Sequence, residues 1–323
     1  MSVQYSEEHE LGLWRKCMST AQITPLMRAQ ISLEGLSVGD AFGEFFLENP
    51  ELIEEFAFEE QLPTALWPFT DDTNMALSIY EQLRLHQSIK QDELAQSFAK
   101  HYHRDRRYSA GAAKLLRHIQ SGGAWRELSE NLFGENGGSY GNGAAMRIAP
   151  LGAYFAHDPK LLVEQAQLSS EITHSHIDAV HGGIAVALAA AWAWRIAHNA
   201  APNYVSLLDL VIQYMPEGEM LQRIKWAKDV SPGAPPRQAA QRLGNGSRIS
   251  AIDTVPFTLW CASSHLNSYS HALWATVTAL GDIDTNCAIV GGIVALATGL
   301  DSIPAHWRTN REPLPAWPFE EVA

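Results

Sequence analysis

Two short oxygen-rich clusters carry the chemistry this chain could perform. Thr70-Asp71-Asp72-Thr73 opens the apolar run Asn74–Tyr80, and Asp282-Ile283-Asp284-Thr285 opens the run Cys287–Ile293. Carboxylates and hydroxyls, with no Cys and no obligatory His, are the donors that hard divalent cations such as Mg²⁺ or Mn²⁺ use. Both clusters stand where a helix would begin, and the free N–H groups and positive dipole end of a helix N-terminus favour acidic side chains. Each cluster alone reads equally well as a helix cap. If the fold brings the two starts together, their carboxylates converge on one or two cations.

Two segments rich in small residues could let a ligand approach the backbone. Tyr140-Gly141-Asn142-Gly143-Ala144-Ala145-Met146-Arg147 and Tyr108-Ser109-Ala110-Gly111-Ala112 each precede a helical run, an arrangement that suits a diphosphate held on N–H groups. Neither is a GxxxxGK[ST] loop and neither follows a strand, so ordinary NTPase and Rossmann sites are excluded. Each could also be a turn that permits close helix packing. Histidines gather at His174, His176 and His181. On a helix His174, Asp178 and His181 would share a face, but without an HExxH pattern a histidine lining a pocket or capping a helix explains them better than zinc.

The elements that must position these groups are helical almost throughout. Apolar residues recur at three- and four-residue spacings over Met27–Phe46, Met75–Leu85, Gln91–Tyr102, Ala113–Gln120, Pro159–Ser169, Ile184–His198, Leu207–Met215, Thr254–Ala262 and His271–Leu280. Clusters such as Glu135-Asn136-Gly137-Gly138 and Ser231-Pro232-Gly233-Ala234-Pro235-Pro236 separate them. No alternating strands and no solenoid period are visible, so the expected fold is an all-α globule of a dozen or more helices. Apolar runs continue across every candidate linker, which favours one domain over residues 28–323, preceded by an acidic extension, residues 1–27. That extension is either a surface-docked terminus or an arm that contacts a partner.

The 323 residues are 46% hydrophobic and 18% charged, ample for a buried core. A formal net charge of −13 argues against nucleic acid or an anionic membrane as a partner. The three cysteines, Cys17, Cys261 and Cys287, lack CxxC spacing, and the N-terminus has no apolar signal segment, so a reducing, cytoplasmic setting is expected. The most apolar run, Gly182–Trp194, is too short to span a bilayer and reads as a core helix.

Taken in order, Gly35-Leu36-Ser37-Val38-Gly39-Asp40-Ala41-Phe42-Gly43, Phe69–Thr73, Arg107–Gly111, Tyr140–Arg147, Thr173-His174 and Gly281–Asn286 resemble the ADP-ribosylglycohydrolase family, which includes the dinitrogenase reductase-activating glycohydrolases. The resemblance implies an all-α fold around a central cleft with two divalent cations, Mg²⁺ or Mn²⁺, and hydrolysis of a bond to the anomeric carbon of ADP-ribose. It makes Thr70, Asp71, Asp72, Asp282, Asp284 and Thr285 metal ligands, with Asp284 bridging the ions. Asp40 would support the metal cluster or order its water. Ser109, Ala110 and Gly111, with Gly141, Asn142, Gly143, Ala144 and Met146, would hold the diphosphate and proximal ribose. Tyr140 would stack near the adenine and His174 would stand near that pocket.

Two features depart from the family: Ser109 and Ala110 occupy a loop that is often richer in Gly, which would narrow the diphosphate site, and one acidic position differs. Many members place Glu seven residues after the Asp of the Gly-Asp motif, where this chain has Leu47, so the acid/base assignment is open. Glu44 or Glu48 could take the place of that Glu, neither of them in register, and Glu44 joins Asp71, Asp284 and Asp40 as a catalytic candidate. The leading reading is a metal-dependent ADP-ribosylhydrolase acting on a modified protein side chain, with arginine one acceptor. The alternative is an immunity-type protein that binds and blocks an ADP-ribosyltransferase, partly through residues 1–27, with or without hydrolysis.

Overall fold

The computed structural model describes residues 23–57, 62, 64–134, 137–199 and 206–320. Among them the chain forms sixteen α-helices and no β-strand, with one isolated bridge between Trp67 and Arg311. The first half holds α1 (Pro25–Glu48), α2 (Leu52–Phe56), α3 (Asp71–His86), α4 (Gln91–Lys100), α5 (Ala110–Gln120), α6 (Trp125–Glu130), α7 (Ala149–Tyr154) and α8 (Pro159–Glu171). The second holds α9 (Ile177–Ala197), α10 (Leu207–Tyr214), α11 (Glu219–Lys228), α12 (Pro236–Leu243), α13 (Ala251–Ser264), α14 (Tyr269–Thr278), α15 (Ile283–Thr298) and α16 (Ala305–Asn310). The all-α expectation holds. Of the extension expected over residues 1–27, residues 1–22 lie outside those described, and α1 already begins at Pro25.

The frame of the molecule is the pair α1 and α15, packed along their length. Thr24 starts α1 by accepting the Met27 N–H at 3.2 Å, and Pro25 supplies a preset φ in the first turn. Gly35, Gly39 and Gly43 follow at four-residue intervals and so share one face. A Cβ at Gly35 would lie 2.3 Å from Ala295 Cβ, one at Gly39 2.2 Å from the Cys287 carbonyl oxygen, and one at Gly43 2.6 Å from Asp284 Cα. Only bare backbone lets the helices approach this closely. The Ser32 hydroxyl donates across the contact to Gly292 O at 2.8 Å, and beside it the Tyr269 hydroxyl, from α14, donates to Gly35 O at 2.7 Å.

Behind this seam Phe42 stacks on Trp307 with centroids 4.4 Å apart, and meets Trp274 and Trp67 edge-on at 5.2 and 5.8 Å. Each such pair adds about 0.5–1.5 kcal/mol beyond area burial. The result is that Asp40 and Glu44, on α1, stand beside the start of α15.

Helix α9 is longer than the apolar run read from the sequence. Its 21 residues could cross a membrane by length and composition, yet 89% of its apolar window is buried, against α7, α8, α13 and α15. It is a core helix because its neighbours cover it. The short runs of small residues also fall differently from expectation. Ala110, Gly111 and Ala112 lie inside the first turn of α5 and not in a loop, since the Ser109 hydroxyl accepts the Ala112 N–H at 3.2 Å and caps the helix. Asn142–Ala144 form one turn of 3-10 helix.

Candidate active site

The first acidic cluster is set by a clamp from three parts of the chain. Trp67 N–H donates to Asn310 O at 2.7 Å, Glu312 N–H to Trp67 O at 3.0 Å, and Phe69 N–H to Glu312 Oε1 at 2.8 Å. Arg106 pairs with Glu312, donates to Phe69 O at 2.7 Å and covers the Phe69 ring at 3.7 Å. From the other side, Asp40 takes four donors at the head of α3. Its carboxylate accepts from Thr70 N at 2.9 Å, Thr70 Oγ1 at 2.9 Å, Thr73 N at 3.0 Å and Thr73 Oγ1 at 2.6 Å. Asp40 is wholly buried. Thr70 is the N-cap of α3, accepting Asp72 N–H at 3.3 Å.

The second cluster is held by different means. Asp282 occupies the N-cap position of α15 without a side-chain capping bond. Its Oδ2 accepts from Asn142 Nδ2 at 2.6 Å, and the same amide nitrogen donates to Thr254 Oγ1 at 3.0 Å. Asp282 N–H and Asn286 Nδ2 both donate to Asn245 O, at 3.1 and 2.7 Å. Asn142 therefore orients a carboxylate, a role beside the substrate contact that the resemblance implied.

The two clusters open on one cavity of about 460 Å³, within the range that holds a small-molecule ligand. Asp71, Asp72, Asp282, Asp284 and Thr285 line its inner part, with Ser109, Ala110, Gly111, Tyr140, Gly141, Asn142, Gly143, Met146 and His174 around the rest. Acids two hundred positions apart in sequence do meet. Thr70, Asp40, Glu44 and Ala144 do not line the cavity; all four are buried behind it. Among the described residues, no three Asp, Glu, His or Cys side chains close around a common point as a ready-made cation cage.

Crowding of acids leaves a clear electrostatic mark. Burial pushes the Asp40 carboxyl up to about 7 against the pull of the Thr73 and Thr70 hydrogen bonds, and Asp284 adds to the rise. Asp282 rises to about 7 through burial and then Asp284. Asp71, by burial and then Asp284 and Asp40, and Asp72, by burial and then Asp40 and Asp284, stand well above the ordinary carboxylate range. Glu44 also reaches about 7, burial outweighing its pairing with Arg107. Asp72 Oδ2, Asp284 Oδ1 and Glu44 Oε2 are buried with no hydrogen-bond partner.

Several neighbours carried no role in the sequence reading. Arg107 lines the cavity and pairs with both Glu44 and Glu48. Arg147 is fully buried at the inner wall. Phe133, Arg248 and Ile249 stand at the outer part, with Phe133 and Tyr140 ring centroids 6.2 Å apart. Ile249 is exposed at φ +50°, a left-handed conformation that β-branched residues rarely adopt. Phe133 beside Gly134 was the one legible signal, a large aromatic in a turn; nothing local marks Arg248 or Ile249. The shared histidine face does not form. His174 precedes α9, whereas His176 Nδ1 accepts the Asp178 N–H at 3.2 Å as the cap of α9.

Comparison with known proteins bears on these residues together. ADP-ribosylhydrolase ARH3 of Xenopus tropicalis is 27% identical over 87% of this chain and 90% of its own length. ADP-ribosylhydrolase ARH3 of Homo sapiens is 26% identical over 89% and 90%. ADP-ribosylarginine hydrolase Tri1 of Pseudomonas putida is 23% identical, over 91% of this chain and 76% of that protein. A solved structure described as an ADP-ribosylglycohydrolase-related protein complex shares the fold, with a TM-score of 0.56 at 22% identity over 88% of this chain and 91% of that one. The sequence model described as ADP-ribosylglycohydrolase matches residues 21–321, a span that takes in both acidic clusters and every cavity wall, and so the chain belongs to the ADP-ribosylglycohydrolase family, a family of hydrolases.

Proposed function

We propose that the chain is a divalent-cation-dependent ADP-ribosylhydrolase that frees ADP-ribose from a modified protein side chain. The observation that carries this reading is the convergence of Asp71 and Asp72 from α3 with Asp282, Asp284 and Thr285 from α15 on one cavity. Buried carboxylate oxygens without partners, Asp72 Oδ2 and Asp284 Oδ1, are costly unless a cation takes them. Asp71, Asp72, Asp282, Asp284 and Thr285 would hold two ions, with Thr70 behind them tied to Asp40, and their oxygen donors suit Mg²⁺ or Mn²⁺. When bound, the ions supply anchoring for ribose hydroxyls and a water of lowered pKa.

The chain's own residues do the rest. The first amides of α5 have no intrahelical acceptor, and that helix start, at Ser109 to Ala112, borders the cavity where a diphosphate would lie. Arg107 adds a positive charge at the same wall. Tyr140 and Phe133 are exposed and offer ring faces to a base. The acidic inner end stabilises positive charge as it develops at the anomeric carbon. Glu44, buried behind the cavity, pairs with Arg107 and holds it at the cavity wall.

The acceptor to test first is arginine, for which one relative is named. Turnover of arginine- and serine-linked ADP-ribose should require Mg²⁺ or Mn²⁺ and stop with a chelator. Asp71→Asn and Asp284→Asn should each lower it by about 10³-fold. Unchanged turnover in either variant removes the catalytic assignment, and indifference to the chelator removes the metal.

A further inference from the structure

His174 is nine-tenths buried yet lines the cavity, and its environment fixes more than its position. Its Nδ1 lies 2.7 Å from Thr173 Oγ1. The same Thr173 oxygen accepts from Arg147 Nη2 at 2.8 Å. Arginine can only donate, so the single hydroxyl proton of Thr173 must find another acceptor. Among the described residues His174 Nδ1 is the one acceptor within hydrogen-bonding distance of it. Nδ1 therefore accepts, and the proton of the neutral ring sits on Nε2.

Arg147 cannot swing away from this task. It is wholly buried, donates to Ser169 O at 3.1 Å and lies over the Phe98 ring at 4.6 Å. Burial, and then the charge of Arg147, also holds His174 down to about 3, so the ring stays neutral at any working pH. Nε2 lies beneath the segment Gly141–Gly143. A Cβ would stand 3.2 Å from it at Gly141 and 2.8 Å from it at Gly143. No protein acceptor takes its proton among the described residues.

We infer that Arg147 and Thr173 are positioning residues that lock His174 in one tautomer, so that its Nε2–H is a fixed donor to an oxygen of the bound substrate. The identity of that oxygen, a phosphate or ribose oxygen of ADP-ribose, rests on the proposed function; the tautomer does not. A locked donor loses nothing to rotation or proton exchange when the ligand arrives.

The test separates the two. In the full chain labelled with ¹⁵N-histidine, two-bond ¹⁵N–¹H correlations read each tautomer, and the signal missing from His174→Asn identifies His174. The wild-type ring should be Nε2–H at pH 7 and remain so at pH 5.5. Thr173→Val should mix the tautomers and weaken ADP-ribose binding, read by calorimetry, by about 10-fold, whereas Thr173→Ser should restore both. An Nδ1–H ring in the wild type overturns the inference, as does a Thr173→Val protein with unchanged tautomer and unchanged affinity. If Thr173→Val does not fold, the wild-type tautomer decides alone. If the wild type shows the Nε2–H ring but binds no ADP-ribose, the proposed function fails and the lock stands.

Discussion

Gly39→Ala puts the packing of α1 on α15 to a direct test, because two effects of opposite sign meet there. Alanine in a helix interior gains about 1 kcal/mol over glycine from propensity. Against this, the added Cβ would stand 2.2 Å from the Cys287 carbonyl oxygen and 2.9 Å from its carbon, both backbone atoms. Ordinary contact needs roughly 3.4 Å or more, so the helices must part by about 1 Å, at an overpacking cost of about 1–3 kcal/mol. Separation also strains the Ser32–Gly292 and Tyr269–Gly35 hydrogen bonds, worth about 1 kcal/mol each. The cost wins by about 2 kcal/mol, a fall in Tm of roughly 3 °C for a chain of this length. Activity should suffer more than stability, since Asp40 follows Gly39 and a displacement of about 1 Å at a reacting centre costs about 100-fold. Thermal melts and hydrolysis assays of Gly39→Ala beside Gly233→Ala, where a Cβ meets only Ser231 Oγ at 3.9 Å, check this. A Gly39→Ala protein with wild-type Tm and turnover would show that the bare seam does not position the acids.

The remaining expectations concern the site. Asp40 and Asp282 rise from 3.8 to about 7 on folding. A carboxyl raised in this way binds its proton more tightly in the folded chain, so its contribution to stability is present below the unfolded value and lost as pH rises through about 7. Metal-free protein should therefore melt lower at pH 8 than at pH 5, and excess Mg²⁺ should raise Tm more at pH 8; an equal rise at both values refutes the link. Asn142→Ala removes the amide that orients Asp282 and should lower kcat by about 10- to 100-fold, as loss of an outer-shell partner does, with Tm little changed. An increase in KM alone would place Asn142 on the substrate instead.

Much of the site was legible because its chemistry is local. Thr70–Thr73 and Asp282–Thr285 announce themselves as oxygen donors at helix starts, and no longer-range knowledge is needed to notice them. Roles inside the clusters were less legible, because they depend on partners far along the chain. Thr70 turns its hydroxyl to Asp40, and Asp40 spends both oxygens on α3; neither follows from spacing. Ala110–Ala112 read as a loop because small residues have weak periodicity, yet one serine cap suffices to start α5 there. His174, Asp178 and His181 would share a face only on one unbroken helix, whereas His176 caps α9 and leaves His174 outside. Arg248 and Ile249 had no local mark at all, since what matters about them is that the 244–250 loop reaches the cavity, with Ala251 N–H bonded to Tyr140 O at 3.0 Å.

The seam between α1 and α15 also bears on how the molecule is made. The Ser32–Gly292 bond joins residues 260 apart, so α1 emerges during synthesis long before the surface that covers its glycine face. At about 5–20 residues per second that interval is roughly 13–50 s. Through nearly all of it Phe42 and Phe46 on α1 also lack Trp274 and Trp307, the rings that pack on them in the finished fold. A chain that stops between residues 73 and 281 holds Asp71 and Asp72 without Asp282 and Asp284, and the cavity the four share has only one of its acidic walls.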